Sequence, residues 1–160
     1  MAVRNIRIND DPILRKKSRE VTEIDDRIKT LLDDMAETMY KAEGVGLAAV
    51  QVGVLRRVIV IDVGDGLMEL INPEITEKDG KQCEIEGCLS IPGNSAYTIR
   101  PFTVKVRAQN REGKWCMYKG EGLKARAFCH EIDHLNGILY TDNLANEDEI
   151  NEFHGNEDNK

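Results

Sequence analysis

The sequence predicts an α+β fold, in which antiparallel β-sheets pack around a central C-terminal helix and an N-terminal helix precedes them. Three observations predict this fold. Apolar residues at three- and four-residue spacing follow Asp25 and Asp26, short β-branched runs separated by turn signals fill the middle, and a second helical stretch begins at Leu123. Helix, strands and helix in this order indicate segregated elements and not alternating βαβ units.

The N-terminal helix is predicted from its cap and from its apolar stripe. Asp25 or Asp26 can accept a hydrogen bond from the first free backbone N–H groups. The stripe that follows is typical of a helix face in a protein core: Ile28, Leu31, Leu32, Met35, Ala36 and Met39. Gly44 is predicted to end this helix.

The predicted strands lie between the two helices. Residues 57–62 form a β-branched run, and residues 67–71 read as the return strand, which Asn72-Pro73 is expected to end. Alternation predicts a further strand over residues 82–86. Residues 103–108 and 115–118 flank a Gly-containing turn and predict a hairpin.

Composition and ends limit the class of protein. A chain of 160 residues suits one domain, which we place at residues 1–145, with a polar acidic tail at residues 146–160. The net charge of −7 argues against a general nucleic-acid binder. The chain has no apolar run of about 20 residues and begins without a secretory signal. We therefore expect a cytoplasmic protein without membrane attachment.

Four cysteines occur in the chain: Cys83, Cys88, Cys116 and Cys129. In a reducing compartment free thiols or a metal ligand are expected in preference to disulfides.

The residues that carry most of the potential chemistry form an H-E-x-x-H pattern on the second helix. His130 and His134 are four apart and lie on one helix face, so both imidazoles can reach one metal ion. Glu131 lies about 100° round the helix axis from His130, where a general base would sit. Two solvated histidines on a surface helix would show the same H-E-x-x-H pattern. Ile132 and Leu135, however, indicate that at least one side of this helix is buried.

A site with one open coordination position needs a third protein ligand. His154 and the acidic residues beyond the helix are candidates. Cys88 is the strongest candidate, because it follows a predicted strand and Gly87 before it permits a sharp backbone turn. A small buried hydrophobic side chain is the alternative role for any single cysteine.

A glycine-rich stretch over residues 44–51 also fits a loose dinucleotide-binding pattern, G-x-G-x-x-A. That pattern requires a strand before the glycines and a helix after them. Here a helix precedes the glycines, so close approach of the backbone to another element or a ligand is the better interpretation.

Three motifs in the same order resemble those of the peptide deformylases, over about residues 11–142. They are G-Φ-G-Φ-A-A-x-Q at residues 44–51, where Φ is apolar, E-G-C-L-S at residues 86–90 and H-E-x-D-H at residues 130–134. The resemblance implies hydrolytic removal of the formyl group from the N-terminal formylmethionine of newly synthesised polypeptides, with release of formate. The implied partners are N-formylmethionyl nascent peptides.

The resemblance also implies a role for each matching residue. Cys88, His130 and His134 would bind Fe²⁺ with water as the fourth ligand, and Zn²⁺, Ni²⁺ or Co²⁺ could replace the iron. Glu131 would be general base and then acid, and the Gln51 amide and the Leu89 N–H would hold the oxyanion. Residues implied to bind the substrate are Val45, Gly46, Glu86, Leu123 and Ala127. Gly44, Gly87 and Arg100 would support them, Arg100 as the ion-pair partner of Glu86.

The sequence departs from the family pattern at three places. Cys129 replaces the usual glutamine before H-E-x-D-H, and Gly93-Asn94-Ser95 replaces a loop that often carries an acidic residue and an arginine. Peptide contacts beyond the methionine are therefore not carried over. The acidic tail does not support ribosome binding, which some relatives achieve through a basic helix.

Two rival functions share parts of this pattern. A zinc endopeptidase uses the same H-E-x-x-H but normally takes a downstream third ligand, which the upstream Cys88 argues against. A catalytically silent metal- or peptide-binding module has little reason to keep both Glu131 and Gln51.

Overall fold

The computed structural model describes residues 2–158. Its helices are α1 (Asp26–Lys41), α2 (Leu123–Leu135) and α3 (Glu147–Asp158). Its strands are β1 (Gly46–Ala48), β2 (Val58–Ile61), β3 (Met68–Asp79), β4 (Gln82–Cys88), β5 (Ile91–Arg100), β6 (Thr103–Gln109) and β7 (Trp115–Glu121). All strand pairs in the sheets are antiparallel, so the predicted α+β class is confirmed.

Helix α1 begins as the sequence predicts but ends differently. The Asp25 carboxylate accepts a hydrogen bond from the Ile28 N–H at 3.1 Å, and the predicted apolar stripe is buried. At the other end Glu43, and not Gly44, takes the left-handed conformation with φ of 58°. Gly44 donates its N–H to the Met39 carbonyl, so both residues belong to one closing turn. Gly44 also has no room for a side chain, because a Cβ there would lie 2.7 Å from Leu89 Cδ1.

Five strands form the larger sheet in the order β1-β2-β3-β6-β7. The prediction that Asn72-Pro73 ends the return strand is wrong, since β3 continues to Asp79. Asn72 takes a φ of 53°, and the register with β6 shifts between Ile71 and Glu74. The Asn72 side chain bonds the Val21 backbone and Gln109. A bulge thus admits the proline without ending the strand.

The second sheet consists of β4 and β5 alone. Strand β4 extends the predicted strand as far as Cys88. Strand β5 has no counterpart in the prediction, because Pro92, Gly93 and Asn94 at its start are typical of loops. The register of the pair shifts between Gly87 and Cys88, so the irregularity expected at Gly87 is a bulge.

Helix α2 packs against β7, β1, β2 and β6. Its Phe128 and Leu135 are fully buried in a core shared with β2 and β6. Helix α3, in the segment expected as a polar tail, contacts β4. There His154 Nε2 donates to the Cys83 carbonyl oxygen at 2.5 Å. Across residues 2–158 no helix is both long and apolar enough to cross a membrane.

Candidate metal centre and active site

Three possible metal ligands converge where β4 ends against α2. The ligand atoms of Cys88, His130 and His134 all lie within 4.8 Å of one another. Cys88 Sγ is 3.3 Å from His134 Nε2, which is 3.2 Å from His130 Nε2. Both histidines are buried and Cys88 is partly buried. Of the candidates for the third ligand, the structure therefore brings Cys88 to the two histidines. His154 instead bonds the backbone of β4.

A buried network of hydrogen-bonded side chains contacts Nδ1 of His130. Its Nδ1 lies 2.6 Å from Glu86 Oε2, and Glu86 also forms a salt bridge of 2.7 Å with Arg100 Nη2. Arg100 Nη1 in turn donates to Asp133 Oδ2 at 2.6 Å. Since a carboxylate can only accept, Nδ1 of His130 carries the proton and its Nε2 is left as the electron-pair donor.

The charges of these groups follow from burial and from one another. Burial would raise the pKa of Glu86, but the hydrogen bonds from His130 and Arg100 outweigh it and lower the pKa to about 2. Burial would lower the pKa of His130, yet Glu131, Cys88 and Glu86 raise it well above its ordinary value. Burial and the charge of His130 lower the pKa of His134 well below its ordinary value. Of the two rings, His130 therefore holds a proton more readily than His134.

This donor set fits a divalent cation. A thiol sulfur and two imidazole Nε2 atoms face one another, with the outer nitrogen of His130 fixed by Glu86. Ligation requires neutral imidazoles and an ionised thiol. Glu86 holds the proton of His130 on Nδ1, so Nε2 is the atom through which a neutral His130 would bind an ion.

Glu131 lies beside this cluster with a free carboxylate oxygen. Its Oε1 is buried and has no hydrogen-bond partner among the described residues. Its Oε2 lies against Gly46, where an added Cβ would come within 2.6 Å of it. The glycine expected to approach the substrate therefore makes room for Glu131. Burial raises the pKa of Glu131 to about 7, only partly offset by His130, so this carboxyl can take and return a proton near neutrality.

The side-chain amide of Gln51 lies next to the cluster. It is buried, and its Oε1 accepts the Ala48 N–H at 2.9 Å, which fixes the orientation of the amide. Its Nε2 consequently points to Ser90 Oγ at 3.1 Å and to Cys88 Sγ at 3.7 Å. A hydrogen-bond donor is thus held next to the Cys88 sulfur.

A cavity of about 440 Å³ opens onto these groups. The predicted site residues that line it are Gly44, Val45, Gly46, Gln51, Glu86, Gly87, Cys88, Leu89, Leu123, Ala127, His130 and Glu131. His134 is fully buried, and Arg100 lies behind Glu86. Cys129 is buried in the apolar core of α2, and burial raises the pKa of its thiol to about 11.

Some residues at the site were not identified from the sequence. Thr98 Oγ1 donates to Glu86 Oε1 at 2.9 Å, and Ser90 bonds Gln51. Asp133 stands inside H-E-x-D-H, so its position in the motif could have indicated it. Thr98 belongs to β5, which sequence patterning did not predict.

Comparison with known proteins relates nearly the whole chain to one family. The family profile described as polypeptide deformylase matches residues 3–149. The peptide deformylase of Alkaliphilus metalliredigens is 65% identical over 147 residues, which are 92% of this chain and 100% of that protein. That of Acetivibrio thermocellus is 65% identical over 153 residues, which are 94% of this chain and 90% of that protein.

Solved structures agree with this relationship. The crystal structure of peptide deformylase from Thermotoga maritima matches with a TM-score of 0.89 and 44% identity, covering 91% of this chain and all of that one. A peptide deformylase from Synechococcus elongatus in complex with actinonin matches with a TM-score of 0.86 and 39% identity. The match covers 94% of this chain and 84% of that one. With its fold, its three motifs and these similarities taken together, the chain belongs to the polypeptide deformylase family.

Proposed function

We propose that the cavity between α2 and β4 is the place where this chain performs its reaction. The reaction is that of its family: as a peptide deformylase, this metallohydrolase removes the formyl group from the N-terminal formylmethionine of new polypeptides and releases formate. The single observation that carries the placement is the buried Glu131 carboxylate, whose Oε1 has no hydrogen-bond partner among residues 2–155 and which lines the same cavity as Cys88 and His130.

Cys88, His130 and His134 are proposed to hold one metal ion. One thiolate and two imidazoles suit zinc and ferrous iron about equally. The choice of Fe²⁺ rests on the resemblance to the family, with Zn²⁺, Ni²⁺ or Co²⁺ as possible replacements. Glu86 acts behind His130, where it fixes the tautomer that leaves Nε2 free to bind the ion.

Proton transfer and stabilisation of the developing negative charge are proposed for Glu131, Gln51 and the Leu89 N–H. When bound, a divalent cation supplies Lewis acidity, which makes a water a nucleophile near neutral pH. Glu131 accepts the proton of the attacking water and later returns it to the leaving nitrogen, so one carboxylate serves both steps. Gln51 Nε2, held by the Ala48 N–H, donates to the oxygen on which negative charge develops. The Leu89 N–H is proposed as the second donor.

The apolar part of the cavity is proposed to bind the methionine side chain. Val45, Leu123 and Ala127 line it, and Val45 and Leu123 are 42% and 44% exposed at its rim. Gly46 leaves space for Glu131 between the pocket and the metal ligands. A long, unbranched apolar side chain suits such an open pocket.

The wider setting is also a proposal. We take residues 1–145 as the catalytic domain and residues 146–160 as an appended acidic segment, and we place the protein in the cytosol. Formylated nascent peptides are the substrates of the family. The net charge of −7 gives no support for direct binding to the ribosome.

The test is formate release from a formyl-Met-Ala-Ser peptide, with protein purified without oxygen and its metal content measured. We expect formate from the unchanged protein and a loss of at least about 10²-fold for Glu131→Ala. Glu84→Gln, at an exposed residue of β4, is the control and should keep full activity. Unchanged formate release by Glu131→Ala would reject the placement, and cleavage of peptide bonds in unformylated peptides would favour an endopeptidase.

The ligand assignment has a separate test. Cys88→Ser replaces a thiolate by a hydroxyl, a much poorer ligand for iron or zinc. We expect the bound metal to fall well below one ion per chain after dialysis, while Cys83→Ser retains it. A Cys88→Ser protein with full metal content would reject the assignment of Cys88.

A further inference from the structure

One cationic side chain in the cavity has no part in the proposed chemistry. Arg126 is the only lysine or arginine among the described residues that line the cavity. It lies on α2 one turn before His130, between Leu123 and the metal ligands in chain order. Leu123 and Ala127 on the same helix line the proposed methionine pocket, so Arg126 borders that pocket in the cavity wall.

Arg126 is incompletely bonded. Its Nη1 donates to the Ile85 carbonyl oxygen at 3.3 Å, and its Nε is buried without a hydrogen-bond partner in the described part of the chain. No carboxylate within salt-bridge distance of it is found among residues 2–155. By contrast, Lys124 on the same helix pairs with Asp65, and Arg100 pairs with Glu86 and Asp133. A guanidinium with five donors and one long hydrogen bond retains capacity for an acceptor.

The surrounding charges make this cation locally important. The chain as a whole carries a net charge of −7, which repels acidic peptides in general. Three acidic residues line the cavity: Glu86 is neutralised by Arg100, Glu43 comes from the exposed turn after α1, and Glu131 is the proposed base. Arg126 is therefore the cavity-lining cation left to pair with a substrate carboxylate.

Building on the proposed substrate site, we propose that Arg126 selects formylmethionyl peptides that carry a carboxylate side chain in the residues following methionine. Methionine has no side-chain carboxylate, so a side-chain carboxylate that meets Arg126 at the cavity wall belongs to a residue that follows methionine. The guanidinium forms a charge-assisted hydrogen bond with the carboxylate, and no covalent step is involved.

The test compares kcat and KM for C-terminally amidated formyl-Met peptides with Glu, Gln or Lys at the second or the third position. Amidation removes the terminal carboxylate, which would otherwise compete for Arg126. We expect the Glu peptide at one of these positions to exceed the Lys peptide in kcat/KM by about two- to five-fold at low salt, the size of a partly exposed ion pair. The difference should lie mainly in KM and shrink at 0.5 M NaCl.

Matched variants separate charge from packing. Arg126→Met keeps an apolar stem of similar length and should reduce the Glu to Lys ratio to about one, whereas Arg126→Lys should keep a preference for Glu. Lys124→Met, on the same helix and paired away from the cavity with Asp65, should behave as the unchanged protein. Melting temperature and metal content check that each variant is folded.

Two results would overturn the proposal. One is equal kcat/KM for Glu and Lys peptides with the unchanged protein, and the other is a ratio that survives Arg126→Met. Both require that the formyl-Met-Gln peptides release formate. If no peptide releases formate, the proposed substrate site fails first and the role of Arg126 fails with it.

Discussion

Replacing Glu86 by glutamine tests whether the buried network of Glu86, Arg100 and Asp133 stabilises both the protein and its proposed metal site. The Glu86 carboxylate accepts four hydrogen bonds. Oε1 receives Thr98 Oγ1 at 2.9 Å and Arg100 Nε at 3.1 Å, and Oε2 receives Arg100 Nη2 at 2.7 Å and His130 Nδ1 at 2.6 Å. Each oxygen therefore bonds one Arg100 donor and one further group.

A glutamine amide cannot replace this pattern. Whichever way the amide is turned, its NH₂ group faces one Arg100 N–H, and the buried guanidinium loses its nearest negative charge. Removing one partner of a buried ion pair costs about 3–5 kcal/mol. Asp133 still bonds Arg100 Nη1 at 2.6 Å, and the amide oxygen retains two bonds. We therefore expect about 2–3 kcal/mol lower free energy of unfolding for the Glu86→Gln protein.

Two measurements check this prediction. In a domain of this size the loss corresponds to a melting temperature lower by about 4–12 °C in metal-free protein. Metal affinity, measured by competition with a chelator, should fall about 10- to 100-fold, as for other partners of histidine ligands. Glu84→Gln, at an exposed residue of β4, is the control and should change neither quantity. Unchanged stability and metal affinity in Glu86→Gln would refute the idea that this network stabilises the protein and its metal binding.

Three further predictions address the base, the oxyanion donor and the N-terminal segment. Gly46→Ala would place a Cβ 2.6 Å from Glu131 Oε2, so we expect kcat/KM for formate release to fall about 10²-fold with metal content unchanged; full activity would contradict the close fit. Gln51→Ala should lower kcat by about 10²–10³ with little change in KM, and steady-state kinetics that show a KM effect alone would reject the oxyanion role. Burial would raise the pKa of Asp34, but the hydrogen bonds from the Ala2 N–H and Arg4 outweigh it and lower the pKa. The ionised Asp34 therefore stabilises the folded protein above pH 3.8, and this contribution is lost as the pH falls through the lowered pKa. Asp34→Asn should therefore cost about 1–2 kcal/mol at pH 7 and less at pH 3 in urea unfolding, and an equal cost at both pH values would contradict this.

Local patterns predicted the elements whose residues carry a period. The stripe from Ile28 to Met39 and the cap at Asp25 predicted α1, and the β-branched run predicted β2. Where the fold depends on contacts remote in sequence, prediction failed. Strand β5 begins with Pro92 and Gly93 and is a strand because it pairs with β4, and β3 passes Pro73 because the Asn72 side chain reaches the Val21 backbone.

The same division applies to the site. The spacing of His130 and His134 by itself determined that one helix face could present two imidazoles, because four residues on a helix return nearly to the same direction. Only the tertiary structure decided the proton positions and the fit around them. Glu86 is 44 residues from His130 in the chain and fixes its tautomer, and Gly46 admits Glu131 through a contact that no local pattern contains. No local pattern singles out Arg126, and the fold places it in the wall of the cavity with few partners. Sequence period thus determines which side chains share a face, and packing between distant segments determines what those side chains can do.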